Sequence, residues 1–499
     1  MQEFDFLASL PAIAPEVGLT ILAVVLLFLD LRLPESQHRG IAYVAAFGMG
    51  ALVVTPFIGG WAPDGELYWG GMVRHDALSQ FFKVTVLIAG AITCLIAADT
   101  RSLGRNGEFY LIITVSTLGA CLLASASDLI MVFLALETVS IPLYILATFN
   151  SRTDERSTES GMKYFLFGSF ASAIMLYGFS LLYGFSGETN LYEIAGFLGS
   201  EAFGDHAIPV LAALAMVMVG FGFKISAVPF HFWTPDVYEG APTPVTAFVS
   251  VASKAASIAL VMRFLLAVFP VTLVIGDVAM QEFWVVMIAA IAALSMTIGN
   301  SLALVQNNIK RLLAYSSIAQ AGYTLIGVAA IQSQTEQGVA SVAFYMIMYT
   351  MTNLLAFGVV VIFSEQTGSE RISDLAGLSR RNPWVALAMT IGLLSLAGIP
   401  PTAGFFGKFF LFNAAVEANL IWLAIIGVLN SILALYYYLV VIKVIYVDRS
   451  ADEDKPLTVT PAAAWVLGFT TIGVLLLGIV PQSIFTWALE GAGSLLVLG

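Results

Sequence analysis

The sequence predicts an all-α integral membrane protein with about fourteen transmembrane helices, and three observations lead to that prediction. Of the 499 residues, 59% are hydrophobic and only 11% are charged, whereas a soluble protein carries roughly 25% charged residues. The apolar residues form long runs that are separated by short polar loops. Two of those runs, five runs apart, are interrupted by proline. No polar stretch approaches the roughly 50 residues of a small soluble domain, so any chemistry must take place within the membrane.

The spans follow from the length of each apolar run, because a helix needs about 20 mainly apolar residues to cross a bilayer. Fourteen runs meet this criterion, near residues 11–31, 40–58, 76–98, 108–126, 128–149, 160–186, 208–238, 242–269, 282–302, 310–331, 337–364, 383–417, 419–447 and 460–480. The first run has no basic segment before it and no clear cleavage site, so we expect it to remain as a helix. We expect the tail, residues 481–499, to lie along the membrane surface.

Lysine and arginine are distributed unevenly between the loops, and cytoplasmic loops are normally the ones enriched in them. The loops after even-numbered spans hold only Arg74. The loops after odd-numbered spans hold thirteen basic residues, namely Arg32, Arg39, Arg101, Arg105, Arg152, Arg156, Lys310, Arg311, Arg371, Arg380, Arg381, Arg449 and Lys455. This asymmetry predicts that both termini lie on the periplasmic side of a bacterial inner membrane. It also supports the count of fourteen, because one missed span would scramble the alternation.

Span five carries Glu137 about nine residues from its start, in the string LALETVSIPLY. A carboxylate in hydrocarbon needs a cation or it takes up a proton. Lys224 is the partner that the sequence suggests, and an uncharged glutamic acid bonded to a backbone carbonyl is the alternative. Lys163 begins span six, just after a polar loop, and is equally compatible with a functional site and with a snorkelling position.

Span seven contains a break beside a charge, in residues 220–245, which read GFGFKISAVPFHFWTPDVYEGAPTPV. Pro229 lacks the N–H that the carbonyl of Ile225 requires, so a helix arriving here should break or kink. Because a broken helix needs protein or trapped water around it, Lys224 predicts an ion or proton path rather than a lipid-facing position. His231 follows the break and could relay protons, although a hydrogen-bonded core histidine fits it as well.

Span eight carries Lys254 near its middle, in the string VASKAAS. Small neighbours permit close helix approach and leave room for water, so Lys254 is a further candidate for a proton path. A structural lysine tied to carbonyls is the alternative. Lys83, Arg263 and Lys443 lie nearer to span ends and are predicted to be interface residues.

Span twelve contains the second break, in residues 396–410, which read LAGIPPTAGFFGKFF. Pro400 and Pro401 should break the helix, and Lys408 follows among phenylalanines. Corresponding broken segments in two halves of a chain are typical of an internal transporter repeat. Because each repeat has five spans, an odd number, the second copy must be inverted relative to the first.

This repeat predicts four segments. A three-helix N-terminal segment occupies residues 1–107, and the first repeat, spans four to eight, occupies 108–270. The second, inverted repeat, spans nine to thirteen, occupies 282–447. A C-terminal helix and tail occupy 460–499.

A row of buried lysines with one glutamate can act as an electrostatic switch. Burial disfavours a charged ammonium and a neighbouring carboxylate favours it, so a change in the Glu–Lys pairing changes whether the lysine holds its proton. The chain carries no motif for a redox cofactor or a metal, and Cys94 and Cys121 lie in apolar runs, as core residues do. The net charge of -12 does not point to nucleic acid.

Four strings carry a resemblance to a known family. They are LALETVSIPLYIL at 134–146, GFKISAVPFHFWTPDVYEGAPTPV at 222–245, IKRLLAYSSIAQAGY at 309–323, and the second break with Lys408. Nearly the whole chain resembles the N-subunit family of bacterial respiratory complex I, the proton-pumping NADH:quinone oxidoreductase. It is similar, more distantly, to the Mrp-type cation/proton antiporter subunits.

The resemblance implies roles for particular residues. Glu137 matches the family's glutamate of span five, which pairs with the lysine of span seven, here Lys224. Lys254 matches the bridging lysine of span eight, Lys408 the terminal lysine of span twelve, and Lys163 a family lysine at the start of span six. Lysine rather than glutamate at 408 argues against the related M subunit. The short segment after span fourteen favours N over L, which carries a long lateral helix.

The resemblance also implies partners and the location of the cofactors. The chain would contact an M-type antiporter-like subunit, small membrane subunits and the lipid bilayer. NADH, FMN, the iron–sulfur clusters and the quinone site would belong to other chains, so we expect no cofactor here. Two alternatives stay open, namely a subunit of an Mrp-type antiporter without a redox arm and a membrane scaffold that does not pump.

Overall fold

A computed structural model describes residues 9–58, 60–62, 65–150, 152, 154–331 and 336–496. The α-helices are α1 (Ala14–Arg32), α2 (Arg39–Leu52), α3 (Ala77–Ala97), α4 (Gly107–Ser125), α5 (Leu129–Ala147), α6 (Glu155–Ser186), α7 (Leu191–Leu198), α8 (Ala207–Ile225), α9 (Trp233–Gly240), α10 (Thr243–Phe248), α11 (Lys254–Val268), α12 (Met280–Ala303), α13 (Ile309–Ala329), α14 (Gln337–Thr367), α15 (Leu378–Arg381), α16 (Pro383–Ala397), α17 (Ala403–Glu417), α18 (Ile421–Tyr446), α19 (Pro461–Ile479) and α20 (Pro481–Leu496). The strands are β1 (Glu66–Tyr68), β2 (Val73–His75), β3 (Val274–Ile275) and β4 (Val278–Ala279). They form two small antiparallel hairpins, β1 with β2 and β3 with β4.

The helices confirm the all-α membrane architecture. Within the described residues, 13 helical segments are long and apolar enough to cross a membrane. They correspond to every predicted span except the twelfth, which α16 and α17 supply as two shorter pieces. The chain is therefore a multi-pass membrane protein. The four-segment division and the inversion of the repeats remain predictions.

Both predicted breaks are present, at the places where proline removes a backbone donor. Helix α8 ends at Ile225, and Ser226 takes a left-handed conformation with φ 62° before α9 begins at Trp233. Helix α16 ends at Ala397, and Gly398 takes φ 89° before α17 begins. A left-handed residue that follows the last turn commonly ends a helix, because it lets the next N–H groups bond back to the final carbonyls.

A third irregularity was not predicted. Residues Val249–Ser253 form a π-helical turn that joins α10 to α11. Such bulges occur mostly as single turns inside α-helices and often at functional sites. The turn ends directly before Lys254, so this lysine is the first α-helical residue after the bulge.

The centre of the bundle is formed by the helices that protein covers most completely. The apolar windows of Thr243–Val268 and Gln337–Thr367 are buried over their whole length, and Ile309–Ala329 is buried almost throughout. Helices α1, α2 and α18 keep most of their apolar residues on the outside. The central helices can therefore carry polar side chains that are shielded from acyl chains.

Two basic residues that were predicted to be interface residues are instead buried in ion pairs. Arg263 is fully buried and forms a bidentate pair with Asp76, at 2.7 and 2.9 Å. Lys83 is 1% exposed and lies 2.8 Å from the carboxylate of Glu16. The error arose because a basic residue near a span end has the same sequence pattern whether it reaches water or a carboxylate on another helix. Lys443, by contrast, is exposed and paired with a nearby aspartate, as an interface residue would be.

Candidate functional site

Three lysines on three different spans lie inside the bundle. Lys224, Lys254 and Lys408 are 5%, 2% and 4% exposed. Lys224 lies in the last turn of α8, Lys254 begins α11, and Lys408 lies in the second turn of α17. The ammonium group of each lysine donates to a protein oxygen. None of the three therefore projects into acyl chains, which matches the sequence argument that a charge at such a depth must have a polar partner.

The carboxylate of Glu137 does not touch Lys224 directly. Its Oε1 accepts a hydrogen bond from Ser172 Oγ of α6 at 2.9 Å. Lys224 Nζ donates instead to Ser140 Oγ, one turn along α5 from Glu137. The two predicted partners are thus linked through one helix, with a serine in contact with the lysine.

Several aromatic rings lie close to the ammonium of Lys224. Its ammonium lies 5.5 Å from the ring centres of both Tyr144 and Phe223. Tyr164 contacts Tyr144 edge-on and stacks on Trp233 with ring centres 4.5 Å apart. The indole Nε1 of Trp233 donates to the carbonyl of Phe223 at 3.1 Å. These four rings, of Tyr144, Tyr164, Phe223 and Trp233, are called the aromatic block below.

Lys254 has a different environment, which is rich in hydroxyl groups. Its Nζ donates to Ser317 Oγ at 2.6 Å and to Ser317 O at 3.0 Å. The hydroxyl of Tyr349 on α14 donates to the same Ser317 Oγ at 2.8 Å. Three central helices, α11, α13 and α14, therefore meet at one serine.

A polar face of α13 leads from Lys254 to Lys408. Ser317, Gln320 and Tyr323 are spaced three residues apart and so lie along one side of the helix. Gln320 Nε2 donates to the carbonyl of Leu396, the last residue but one of α16, at 3.1 Å. The ring of Tyr323 lies 4.3 Å from Lys408 Nζ. We call these three residues the α13 polar face.

Lys408 completes this arrangement at the second break. Its Nζ donates to the carbonyl of Ala397 at 3.0 Å, directly after the carbonyl that Gln320 binds. The break frees these carbonyls from helical hydrogen bonds, and they become acceptors for the row. The proline break and the lysine thus form one unit.

The placement of Lys224 before its break and of Lys408 after its break has a simple explanation. Spans seven and twelve are an odd and an even crossing, so they run through the membrane in opposite directions. Lys224, before the break in span seven, and Lys408, after the break in span twelve, therefore lie towards the same membrane surface relative to their breaks.

The two ends of the helix that carries Lys254 differ in polarity. On the side that begins at Thr243, Thr246 donates to the carbonyl of Tyr238 at 3.0 Å. Ser250 follows, and its Oγ accepts a hydrogen bond from Asn353 at 2.6 Å. Beyond Lys254, the helical positions four, seven and eleven residues on are Ile258, Val261 and Leu265, all buried. Among them, Ser257 donates to the carbonyl of Ser253 at 2.7 Å, and Arg263 further along pairs with Asp76, so this side is mainly, but not wholly, packed hydrocarbon.

The hydroxyl side leads towards a large cavity. It has a volume of about 1210 Å³ and is lined by the loops after α3, α5, α9, α12 and α14. These loops follow odd-numbered spans and carry most of the basic loop residues, so we call this end of the bundle the basic end and the cavity the basic-end vestibule. Charged residues in its wall are Arg101, Asp154, Arg156, Glu239, Lys310, Glu365, Glu370 and Arg371.

Lys163 belongs to the basic end rather than to the buried row. It is one-third exposed and pairs with Glu159 at 2.6 Å and with Asp236 at 2.5 Å. Arg311 bridges Asp236 and Glu239 at 2.8 and 2.9 Å. These ion pairs hold the short helix α9 against α6 and α13.

His231 lies in the link between α8 and α9 and is 6% exposed. Its ring centre lies 4.5 Å from that of Phe232. In the described part of the chain, no hydrogen bond or ion pair joins it to a lysine of the row. Over the same residues, no group of three or more His, Cys, Asp or Glu side chains is placed to hold a metal ion.

The sequence reasoning missed the residues that connect the lysines. Ser317, Gln320 and Tyr323 all lie in the quoted string 309–323, but only their resemblance to a family motif was used. A usable signal was available, because polar residues at helical spacing within an apolar span indicate a shielded polar face. Tyr349 and Asn353, four residues apart on α14, show the same spacing, but their partners, Ser317 on α13 and Ser250 in the π turn, could not be identified from the sequence.

Comparison with known proteins places the chain in a family. A family model described as NADH:quinone oxidoreductase/Mrp antiporter, TM, matches residues 126–434. The NADH-quinone oxidoreductase subunit N of Moorella thermoacetica is 42% identical over 489 residues, which cover 97% of this chain and 99% of that protein.

Superposition on solved structures gives the same family and fold. A chain of respiratory complex I from Thermus thermophilus with bound aureothin superposes with a TM-score of 0.77 at 32% identity, covering 95% of this chain and 98% of that one. A chain of the Mrp complex from Dietzia sp. superposes with a TM-score of 0.83 at 20% identity, covering 98% and 99%, which shows a shared fold. The chain belongs to the NADH:quinone oxidoreductase/Mrp antiporter family of membrane proteins.

Proposed function

We propose that this chain is a proton-translocating membrane subunit of an NADH:quinone oxidoreductase, of the N type named for its relatives. The observation that carries the proposal is the row of three buried lysines, two of which are connected by the α13 polar face. Three ammonium groups inside a bundle cost free energy that packing alone does not require. A proton path gives them a function.

Protons would move along the row by changes of charge. When Glu137 approaches Lys224 through a change in α5, the ammonium form of Lys224 is stabilised, and when they separate, the proton is more readily released. Lys254 and Lys408 each face only neutral groups in the described structure. Their charge therefore depends on the charge of the neighbouring lysine, as an electrostatic switch requires.

Lys254 would take up its proton from the basic end. Thr246 and Ser250 precede it on the vestibule side. On the other side Ser257 is bonded back to the carbonyl of Ser253, and the buried apolar residues Ile258, Val261 and Leu265 follow. Hydroxyl groups can hold water in place, while a packed apolar segment cannot. This asymmetry favours access to Lys254 from the basic end, and access from one side at a time is what a pump needs if protons are not to leak back.

The positive-inside rule predicts that the basic end lies in the cytoplasm and both termini in the periplasm of a bacterial cell.

Glu137 is half-buried on the lateral face of α5, between the exposed residues Leu134 and Ile141. A carboxylate at that position requires a polar neighbour rather than acyl chains. It therefore favours a second membrane subunit against this face, and NADH, FMN, iron–sulfur clusters and quinone would be bound by further subunits.

The test replaces Lys224 by alanine in the assembled complex. NADH-driven proton uptake per NADH oxidised is measured in sealed vesicles, with Lys443→Ala as the matched control because Lys443 is exposed and pairs with Asp448. We expect at least a tenfold loss for Lys224→Ala and none for the control. Unchanged pumping in a normally assembled Lys224→Ala complex would contradict the proposal and support the alternative that the chain is a scaffold that does not pump. Activity of the chain without any redox partner would favour an Mrp-type antiporter.

A further inference from the structure

A fourth lysine, Lys310, is almost completely buried, and the buried row does not include it. It is 2% exposed and lies in the wall of the basic-end vestibule. The vestibule reaches the link between α9 and α10, and Thr246 and Ser250 lie buried beyond that link at 1% and 0% exposure. The floor of the vestibule is therefore closed where a path to Lys254 would begin.

The bonds of Lys310 are directed at this floor. Its Nζ donates to the carbonyls of Glu239 and Ala241 at 2.9 and 2.7 Å and to Glu370 Oε1 at 3.1 Å. An ammonium group has three N–H donors, so these three acceptors satisfy it completely. One side chain thus ties together the α9–α10 link, the start of α13 and the segment after α14.

The backbone around Lys310 reinforces the same junction. Ile309 N donates to the carbonyl of Glu370 at 2.9 Å, and Ile372 N donates to the carbonyl of Asn307 at 2.9 Å. The start of α13 is therefore fixed to the segment after α14 by the main chain. The α9–α10 link, in contrast, is attached to that rigid pair through the Lys310 side chain and the Arg311 pairs of α9.

We infer that Lys310 is a latch that holds the vestibule floor closed over the hydroxyl path to Lys254. The inference rests on the proposed function. Lys310 is a positioning residue, because it touches the link rather than the row. When the ion pair with Glu370 or the hydrogen bonds from the ammonium to the two carbonyls break, the link can move and water can reach Thr246. Glu239 at the end of α9 and Ala241 of the link each offer a carbonyl to the ammonium. Because a buried carbonyl without a donor is costly, the closed state persists until those bonds are exchanged for bonds to water.

The test measures solvent access and does not depend on pumping. A cysteine is placed at Thr246, and its labelling by a membrane-impermeant maleimide is followed in vesicles that expose the basic end of the intact complex. The two native cysteines, Cys94 and Cys121, are buried and give little background. Ser102→Cys, at an exposed position in the vestibule wall, serves as the accessible reference.

We expect Thr246→Cys to label at least tenfold more slowly than Ser102→Cys when Lys310 is present. Adding Lys310→Met should remove most of that difference, and Lys310→Arg should preserve part of it. The control is Lys455→Met, because Lys455 is exposed at the same end and pairs with Asp452 in its own loop. Where Lys310→Met fails to assemble, Glu370→Gln weakens the same latch by removing the negative charge of one acceptor and should raise the labelling about threefold.

Equal labelling of Thr246→Cys with and without Lys310 or Glu370 would overturn the latch. That outcome is distinct from failure of the proposed function. Faster labelling in Lys310→Met together with unchanged pumping in Lys224→Ala would support the latch and refute proton transport along the row.

Discussion

The two halves of the buried row are built from different chemistry. The aromatic block lies around Lys224 and reaches towards Lys254 through Tyr238, which contacts Trp233 and lies 3.4 Å from Ser317 Oγ. The one hydrogen bond described for the Lys224 ammonium goes to Ser140. Between Lys254 and Lys408 a hydroxyl, an amide and a phenol follow each other along α13. The second half therefore has polar groups at every turn, whereas the first half needs added water before a proton can cross.

This difference indicates where control is exercised. A polar face that is always present cannot by itself stop a proton. A block of packed rings excludes water until the rings move apart, and a change in ring packing is the kind of two-state rearrangement that a switch can bias. The interval between Lys224 and Lys254 is thus the better candidate for the gated step, and the interval between Lys254 and Lys408 for the conducting one.

The largest expected effect comes from removing the lysine that borders both halves. Lys254→Met keeps the length of the side chain and removes its charge, so the proton has no acceptor between the aromatic block and the α13 polar face. We expect NADH-driven pumping per NADH oxidised to fall at least tenfold. A pumping ratio within twofold of the parent complex would mean that the two halves do not work in series.

A smaller effect is expected within the conducting half. Gln320→Leu removes the donor to the carbonyl of Leu396 and leaves that buried carbonyl unsatisfied, at a cost of about 1–3 kcal/mol. We expect pumping to fall about three- to tenfold while assembly is retained. Gln366→Leu is the matched control, since Gln366 makes comparable bonds at the exposed basic end. If the two variants pump equally well, the α13 polar face is structural only.

The smallest effect is expected in the gated half and has the opposite sign. Trp233→Phe removes the bond to the carbonyl of Phe223 and reduces the stacked contact with Tyr164, together worth about 1–2 kcal/mol. A looser block should admit water, so the passive proton leak of sealed vesicles should rise two- to threefold. Trp384→Phe, on an exposed face, should leave the leak unchanged. An unaltered leak in Trp233→Phe would show that the aromatic block is not the barrier.

Much of this architecture could be predicted from the sequence, because it depends on local causes. Hydrophobic length determines where spans lie, and all but the proline-broken twelfth are present as single apolar helices or as a main helix with a short continuation. Proline at 229, 400 and 401 removes donors wherever the chain folds, so both breaks were foreseen. A lysine flanked by apolar residues must be shielded, and Lys224, Lys254 and Lys408 are all buried.

Tertiary structure decided which groups those lysines meet. Lys254 binds Ser317, 63 residues away, and Asn353 binds Ser250, 103 residues away. Arg263 and Lys83 were misjudged and Lys163 was left undecided for the same reason, since each has a carboxylate partner in a distant part of the sequence. Span length and helix breaks follow from the free energy of each segment in a bilayer, which the residues of that segment determine. Partner choice follows from how segments pack together, and no stretch of the sequence contains that information alone.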